Sequence, residues 1–155
     1  MKRRPTIEIS DAGLTLYGRL IGHEPTMREF LQAVPYEPDR RFAGLDETRE
    51  LLVFDSNGMW GLSEQDPDLM LAIGLFFERP TWRREHEKDP KDYFRGLVRL
   101  GKFNFVPPIK RLMADKISEQ EFANLSFFFT CQGQGVAGIT IGFPLNEQKL
   151  ETNKP

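Results

Sequence analysis

Leu51-Leu52-Val53-Phe54-Asp55-Ser56-Asn57-Gly58-Met59-Trp60-Gly61-Leu62 is the stretch that decides the fold class. Two apolar runs flank Asp-Ser-Asn-Gly. Hairpin turns of the I′ and G1-bulge kinds need positive φ, which Asn57-Gly58 accepts at low cost. The stretch predicts a hairpin with strands near 50–54 and 59–63.

The pattern continues upstream. Thr6-Ile7-Glu8-Ile9 and Leu14-Thr15-Leu16-Tyr17 alternate around Ser10-Asp11-Ala12-Gly13, and a first hairpin is expected there. Gly18 and Gly22 then break or bend the chain. Thr26-Met27-Arg28-Glu29 has the capping-box form, with Met27, Phe30, Leu31 and Val34 at helical spacing, so 26–34 reads as a short amphipathic helix. Pro35 and Pro38 end it. Residues 36–47 read as a loop with Asp39-Arg40-Arg41 exposed.

Downstream, Asp66-Pro67-Asp68 makes a turn, and 69–77 is almost wholly apolar. Periodicity alone leaves a buried strand or a buried helix there, and Gly74 with the aromatic pair favours the strand. Residues 80–92 read as a long polar loop, with or without a helical turn. A third hairpin is expected over 94–100 and 102–105, around Gly101. Ile109, Leu112, Met113 and Ile117 suggest a second short helix, and Ser118-Glu119-Gln120-Glu121 predicts a helical turn reaching 124. Strands at 125–131 and 136–143 flank Gln132-Gly133-Gln134-Gly135. The expected architecture is α+β: a mostly antiparallel sheet of hairpins with two or three short helices. It forms one domain over 1–145, with a polar tail at 146–155.

Composition narrows the function classes. The chain has 155 residues, 13 of them Phe, enough for a substantial core. A net charge of −2 argues against a general nucleic-acid binder. Lys2-Arg3-Arg4 reads as a solvated terminus. The single cysteine, Cys131, excludes an intramolecular disulfide and suits a reducing compartment. Glu8 and Asp11 interrupt any signal-peptide core, and no apolar run reaches the roughly 18 residues of a membrane span. A soluble cytoplasmic protein without a membrane partner is the expectation.

Complete catalytic motifs are missing. His23 and His86 lack metal-ligand spacing, so no metal or other cofactor is implied. Cys131 ends an aromatic strand and reads as a small hydrophobe. No serine sits in a G-x-S-x-G elbow. Gly133-Gln134-Gly135-Val136-Ala137-Gly138 fits G-x-G-x-x-G, yet a strand follows where a dinucleotide site needs a helix.

Two groups of residues suggest a binding role. Asp46, Glu47, Glu50 and Asp55 surround the first central strand, and Glu64, Asp66 and Asp68 follow the second. They are either solvated turn residues or an acidic face that docks a basic partner. Trp82-Arg83-Arg84 are residue types common at binding hot spots, as is Trp60. Alternatively, Trp82 folds back on the sheet and the arginines pair with Glu85 and Glu87. Two further readings stay open: a hydrolase using Asp55 and Glu64, and an adaptor that pairs through a strand edge.

In this order of elements the chain resembles a family of small bacterial proteins, several encoded beside secreted toxins of the type VI kind. The resemblance rests on the hairpin 7–17 with the helix 26–34, on Val53-Phe54-Asp55-Ser56-Asn57-Gly58-Met59-Trp60, and on Pro90-Lys91-Asp92-Tyr93-Phe94-Arg95-Gly96. It spans about 6–105. Phe54 stands where the family usually has Trp, and Tyr93-Phe94 lets either aromatic match the Pro-x-x-aromatic-x-Gly element. The resemblance implies an immunity protein, a stoichiometric inhibitor of a toxin and not an enzyme. A cytoplasmic immunity protein meets a cytoplasmic toxin. A nuclease domain, basic towards phosphates, is then the favoured partner, with no direct contact between this chain and nucleic acid. Asp55, Glu64, Asp66 and Asp68 would supply the charge, and Trp60 or Trp82 the apolar anchor.

Overall fold

The computed structural model describes residues 5–45, 48–64, 68–81 and 87–144. Eleven strands and two helices lie among them. They are β1 (Ile7–Ser10), β2 (Gly13–Leu16), β3 (Arg19–Gly22), α1 (Met27–Ala33), β4 (Arg40–Leu45), β5 (Arg49–Phe54), β6 (Met59–Glu64) and β7 (Leu69–Phe76). They continue with β8 (Val98–Leu100), β9 (Phe103–Phe105), α2 (Arg111–Ile117), β10 (Ser126–Gln132) and β11 (Gly135–Gly142). The fold is α+β and rich in antiparallel pairs, as the hairpin pattern predicts.

The strands divide into two sheets, where one was expected. The first has the order β3-β2-β1-β8-β9, the second β10-β11-β7-β6-β5-β4. One pair, β1 with β8, is parallel. It joins Ile7 to Val98, a contact between distant segments that hairpin signals cannot reveal. Both sheets feed one core. Phe77, just past β7, meets Phe105 of β9 edge-to-face at 6.0 Å, and Phe105 meets Phe129 of β10 at 6.3 Å. Each such aromatic pair contributes about 1 kcal/mol beyond the area it buries.

Helix α1 forms as its capping box predicts. Thr26 Oγ1 accepts the Glu29 amide at 3.1 Å, and Glu29 Oε1 accepts the Thr26 amide at 3.1 Å. Its Phe30 is fully buried, edge-to-face with Phe54 at 5.9 Å. Gly61 makes room for that ring, because a Cβ there would lie 2.9 Å from Phe30 Cε1. A second expected helical turn, at 118–124, is absent. Gln120 uses its side chain on the Gly101 turn instead, donating to the Leu100 carbonyl at 2.8 Å and accepting the Lys102 amide at 3.3 Å. Ser118 donates its hydroxyl back to the Ala114 carbonyl at 2.7 Å, closing α2. Tertiary contacts override the local capping signal.

Two strands stand where turns or loops were expected. β3 pairs with β2 at one sheet edge, and β4 pairs with β5 at the edge of the other. Edge strands carry charge and break alternation because one side is unpaired. That is why Asp39-Arg40-Arg41 reads as a loop in sequence. The tail 146–155 lies outside the described residues.

Candidate functional site

The central hairpin closes as predicted, with Phe54 opposite Met59. Asp55–Asn57 form one 3-10 turn, and positive φ falls on Gly58 alone, at 60°. Asp55 does not point into solvent. Arg40 of β4 grips it at both oxygens, Nη2 to Oδ1 at 2.6 Å and Nε to Oδ2 at 3.0 Å. The Lys91 amide donates to Oδ1 at 3.1 Å. Arg40 also donates to the Glu87 carbonyl and, at 2.7 Å, to the Asp89 carbonyl. One ion pair therefore fastens β4, the hairpin turn and the segment 87–91. Partial burial pushes the Asp55 carboxyl up. The Arg40 hydrogen bond and charge, with the Lys91 amide, outweigh burial and hold its pKa below the ordinary carboxylate value.

This clamp joins two stretches distant in sequence, 53–60 and 90–96. The Asp92 amide donates to the Asp55 carbonyl at 2.9 Å, and the Phe94 amide to the Phe76 carbonyl at 2.7 Å. Gly58 is packed against the Tyr93–Phe94 backbone so closely that a Cβ would lie 2.7 Å from Tyr93 Cα. Turn chemistry at 55–58 and at 90–96 thus builds a single junction.

Beside the junction opens a depression of about 370 Å³. Tyr17, Tyr36 and Tyr93 line it, with Ser56, Asn57 and Arg95. Tyr17 follows β2 in a left-handed conformation, φ 50°, which costs a non-glycine residue about 1–2 kcal/mol. Its amide donates to the Thr6 carbonyl at 2.7 Å. The Tyr17 ring meets Tyr36 edge-on at 6.1 Å. Burial, reinforced by Tyr36, pushes the Tyr17 phenol up to about 12, so it remains a hydrogen-bond donor at neutral pH. Tyr36 stands at the mouth, 53% exposed. Arg95 lies 5.5 Å from the Tyr93 ring centroid and donates to the Phe77 carbonyl at 2.7 Å. The depression offers aromatic surface with hydroxyl and amide groups, a composition suited to recognition.

The expected acidic face is not what the described residues form. Asp55 is tied into the clamp. Glu64 lies across from Arg49 in the β5–β6 register and pairs with it at 3.1 Å. Asp68 Oδ1 accepts the Met27 amide at 2.8 Å, so it serves the first turn of α1. Glu64 is the last residue of β6, whereas Asp55 follows Phe54, the partner of Met59 at the other end of that strand, so the length of β6, about 17 Å at a rise of about 3.3 Å per residue, separates them. A glycosidase-type pair of carboxylates lies within about 10 Å, so these two do not make that pair.

Trp60 lies on the outer face of the second sheet, in the cross-strand row Arg40, Val53, Trp60, Gly74, Thr140 and Phe128. Its indole covers Gly74, where a Cβ would fall inside the ring. Trp60 is half-buried and serves the sheet surface, away from the tyrosines. Asp66, Trp82, Arg83, Arg84 and His86 lie outside the described residues, as do Asp46 and Glu47. Glu50 turns inward, 8% exposed, and pairs with Arg41 at 3.4 Å. His23 Nε2 is 3.0 Å from the Asp11 carbonyl. Among the described residues no group of three His, Cys, Asp or Glu is placed to hold a metal ion. No described helix is long and apolar enough to cross a membrane.

Sequence reading missed Arg40 and the tyrosines. Tyr17, Tyr36 and Tyr93 are far apart in the chain and each follows or lies in a turn. The available signal was the pairing of two Gly-containing motifs, each with a neighbouring Asp. Comparison of the chain with protein-family models, with curated proteins and with solved structures finds no match in any of the three.

Proposed function

We propose that this chain is an immunity-type protein, a stoichiometric inhibitor that binds a cognate antibacterial toxin through the tyrosine-lined depression. The observation that carries the reading is the junction at Asp55. The two stretches on which the resemblance rests, 53–60 and 90–96, meet there and frame the depression. Their turn residues shape a surface suited to contact with a partner. Tyr is enriched among residues that dominate binding energy. The lone Cys131 suits a reducing compartment, which supports an encounter in the cytoplasm. Asp55 is held by Arg40 and the exposed Asp68 accepts the Met27 amide, so neither is a free carboxylate for the basic surface of a nuclease. The partner is a toxin domain, whatever reaction that domain carries out.

The test is co-expression with a toxin domain encoded beside the gene, where the gene's neighbourhood holds one, followed by affinity measurement. The wild-type chain is expected to protect the cell and to bind the toxin with one-to-one stoichiometry. Tyr36→Ala with Ser56→Arg alters two exposed positions at the depression. It is expected to weaken binding about a hundredfold, the sum of two contributions of about 1–2 kcal/mol. Phe128→Ser, on the outer sheet face, is expected to leave affinity unchanged. A wild-type chain that neither binds nor protects would end the immunity reading. Unchanged affinity in the double variant would move the interface away from the tyrosines.

A further inference from the structure

A larger depression, about 650 Å³, lies between β9 and α2 and shares no lining residue with the tyrosine site. Its floor is apolar, with Phe103, Phe105 and Met113. Val106 and Leu112 stand over it and are 41% and 71% exposed. Such exposure beside a concave apolar floor is characteristic of binding grooves.

Backbone geometry adds a second feature. Among the described residues β9 is the last strand of its sheet, with no strand partner on one of its sides. The Leu97 carbonyl accepts from Thr6, and the Gly101 amide donates to Ile9. The odd-numbered residues of this segment therefore face β1, and Val98 and Leu100 face β9. Their register partners are Phe105 and Phe103. In an antiparallel ladder, alternate residues turn their amide and carbonyl the other way. Asn104 thus presents its backbone N–H and C=O on the free side, and Asn104 lines the groove.

Charge supplies a third. Residues 102–116 hold Lys102, Lys110, Arg111 and Lys116 against one carboxylate, Asp115, in a chain whose net charge is −2. Lys110 and Lys116 line the groove. Leu112 and Lys116, four residues apart on α2, share one helix face. The groove is apolar at its floor and cationic at its rim.

We propose that this groove binds an extended acidic segment of a partner protein. The segment adds as a strand along β9 by pairing with the backbone of Asn104, sets an apolar side chain between Val106 and Leu112, and directs carboxylates to Lys110 and Lys116. Strand addition gives affinity through the main chain, and side-chain pockets give selectivity. The cationic rim attracts and orients an acidic partner. A phosphate backbone would use the lysines and leave the apolar concavity idle, so a peptide fits better than a nucleic acid. This surface is independent of the tyrosine depression and stands whether or not a toxin binds there.

The test pans a random peptide display library against the full chain. Selected peptides are expected to combine Asp or Glu with alternating apolar residues. Lys110→Glu with Lys116→Glu is expected to weaken the best selected peptide about tenfold or more and to flatten its salt dependence. Leu112→Ser is expected to weaken it about fivefold. These side chains are exposed, so circular dichroism should match the wild type. Hydrogen exchange at the Asn104 amide should slow on peptide binding, a readout that a mere charge effect would not move. Selection of no peptide, or of peptides without an acidic bias, would overturn the proposal. So would binding that survives both variants or leaves Asn104 exchange unchanged. Two further probes are phosphatidylserine vesicles and a single-stranded oligonucleotide. Lysine-dependent retention on either, with no selected peptide, would replace the peptide by a membrane or nucleic-acid surface.

Discussion

Gly58→Ala is expected to destabilise the chain by about 3 kcal/mol or more, beyond the range of most surface substitutions. Two costs add. At φ 60° an L-residue loses about 1–2 kcal/mol to the clash of its Cβ with its own carbonyl. The new methyl also meets the Tyr93–Phe94 backbone, with Tyr93 Cα at 2.7 Å. Backbone cannot swing aside as a side chain can, so 93–94 must shift. The shift strains the Phe94 amide bond to the Phe76 carbonyl and the buried ring of Phe94. Overpacking of this kind costs about 1–3 kcal/mol. Gly18→Ala is the internal control: φ there is 82°, but a Cβ would meet nothing within 4 Å. It should cost only the conformational part, about 1–2 kcal/mol. Urea unfolding of the two variants checks this. Equal losses would mean that the junction accommodates a methyl group and that Gly58 is needed for its dihedral alone.

The contrast also marks where sequence reading succeeds. Asp-Ser-Asn-Gly between two apolar runs is a local signal, and the hairpin it predicts forms with Phe54 opposite Met59. The capping box at Thr26 is local too, and both of its bonds are made. What Gly58 touches is not local. Tyr93 and Phe94 arrive from 35 residues away in sequence, at the end of the polar loop 80–92, and nothing local links them to Gly58. β4 was hidden for a related reason. Its Arg40 and Arg41 look like loop charges until Arg40 is seen bonded to Asp55, Glu87 and Asp89. The split into two sheets turns on the parallel pair of β1 with β8, which no turn announces. The acidic residues illustrate the opposite error. Counting carboxylates along the chain suggested a shared face. Yet Asp68 serves a helix terminus, Glu64 serves a cross-strand pair and Asp55 serves a clamp. A carboxylate's partner, set by tertiary structure, decides whether its charge is available.

Asp55→Ala is expected to cost about 3 kcal/mol near neutral pH, and the loss is expected to fade in acid. Side-chain exposures of 25% for Arg40 and 15% for Asp55 place the pair largely out of solvent. Removing one member leaves the guanidinium without its bidentate acceptor, and the Lys91 amide loses its partner as well. Breaking a buried pair in this way is far costlier than losing a surface bridge. Asp55→Asn keeps one acceptor and should lose less, about 1–2 kcal/mol. A double-mutant cycle with Arg40→Ala should give a coupling of about 2 kcal/mol, because each substitution removes the same interaction. The pH dependence has a definite sign. The Asp55 pKa is lower in the folded chain than its ordinary value of about 3.9, which stands for the unfolded chain. As pH falls, the unfolded chain takes up this proton first, so protonation favours unfolding. The contribution of Asp55 is therefore complete above about pH 4 and is lost as pH drops through its folded value. Wild type and Asp55→Asn should differ most near neutrality and converge below about pH 4. The clamp also fixes the segment that carries Tyr93, so Asp55→Asn should weaken binding at the tyrosine depression by more than its global stability loss implies. Hydrogen exchange at the Lys91 and Asp92 amides, whose acceptors are on Asp55, should accelerate at pH 7 before any other part of the chain opens. A stability gap that stays constant from pH 7 to pH 3, with those two amides still protected, would show that Arg40 and Asp55 are neighbours without being a clamp.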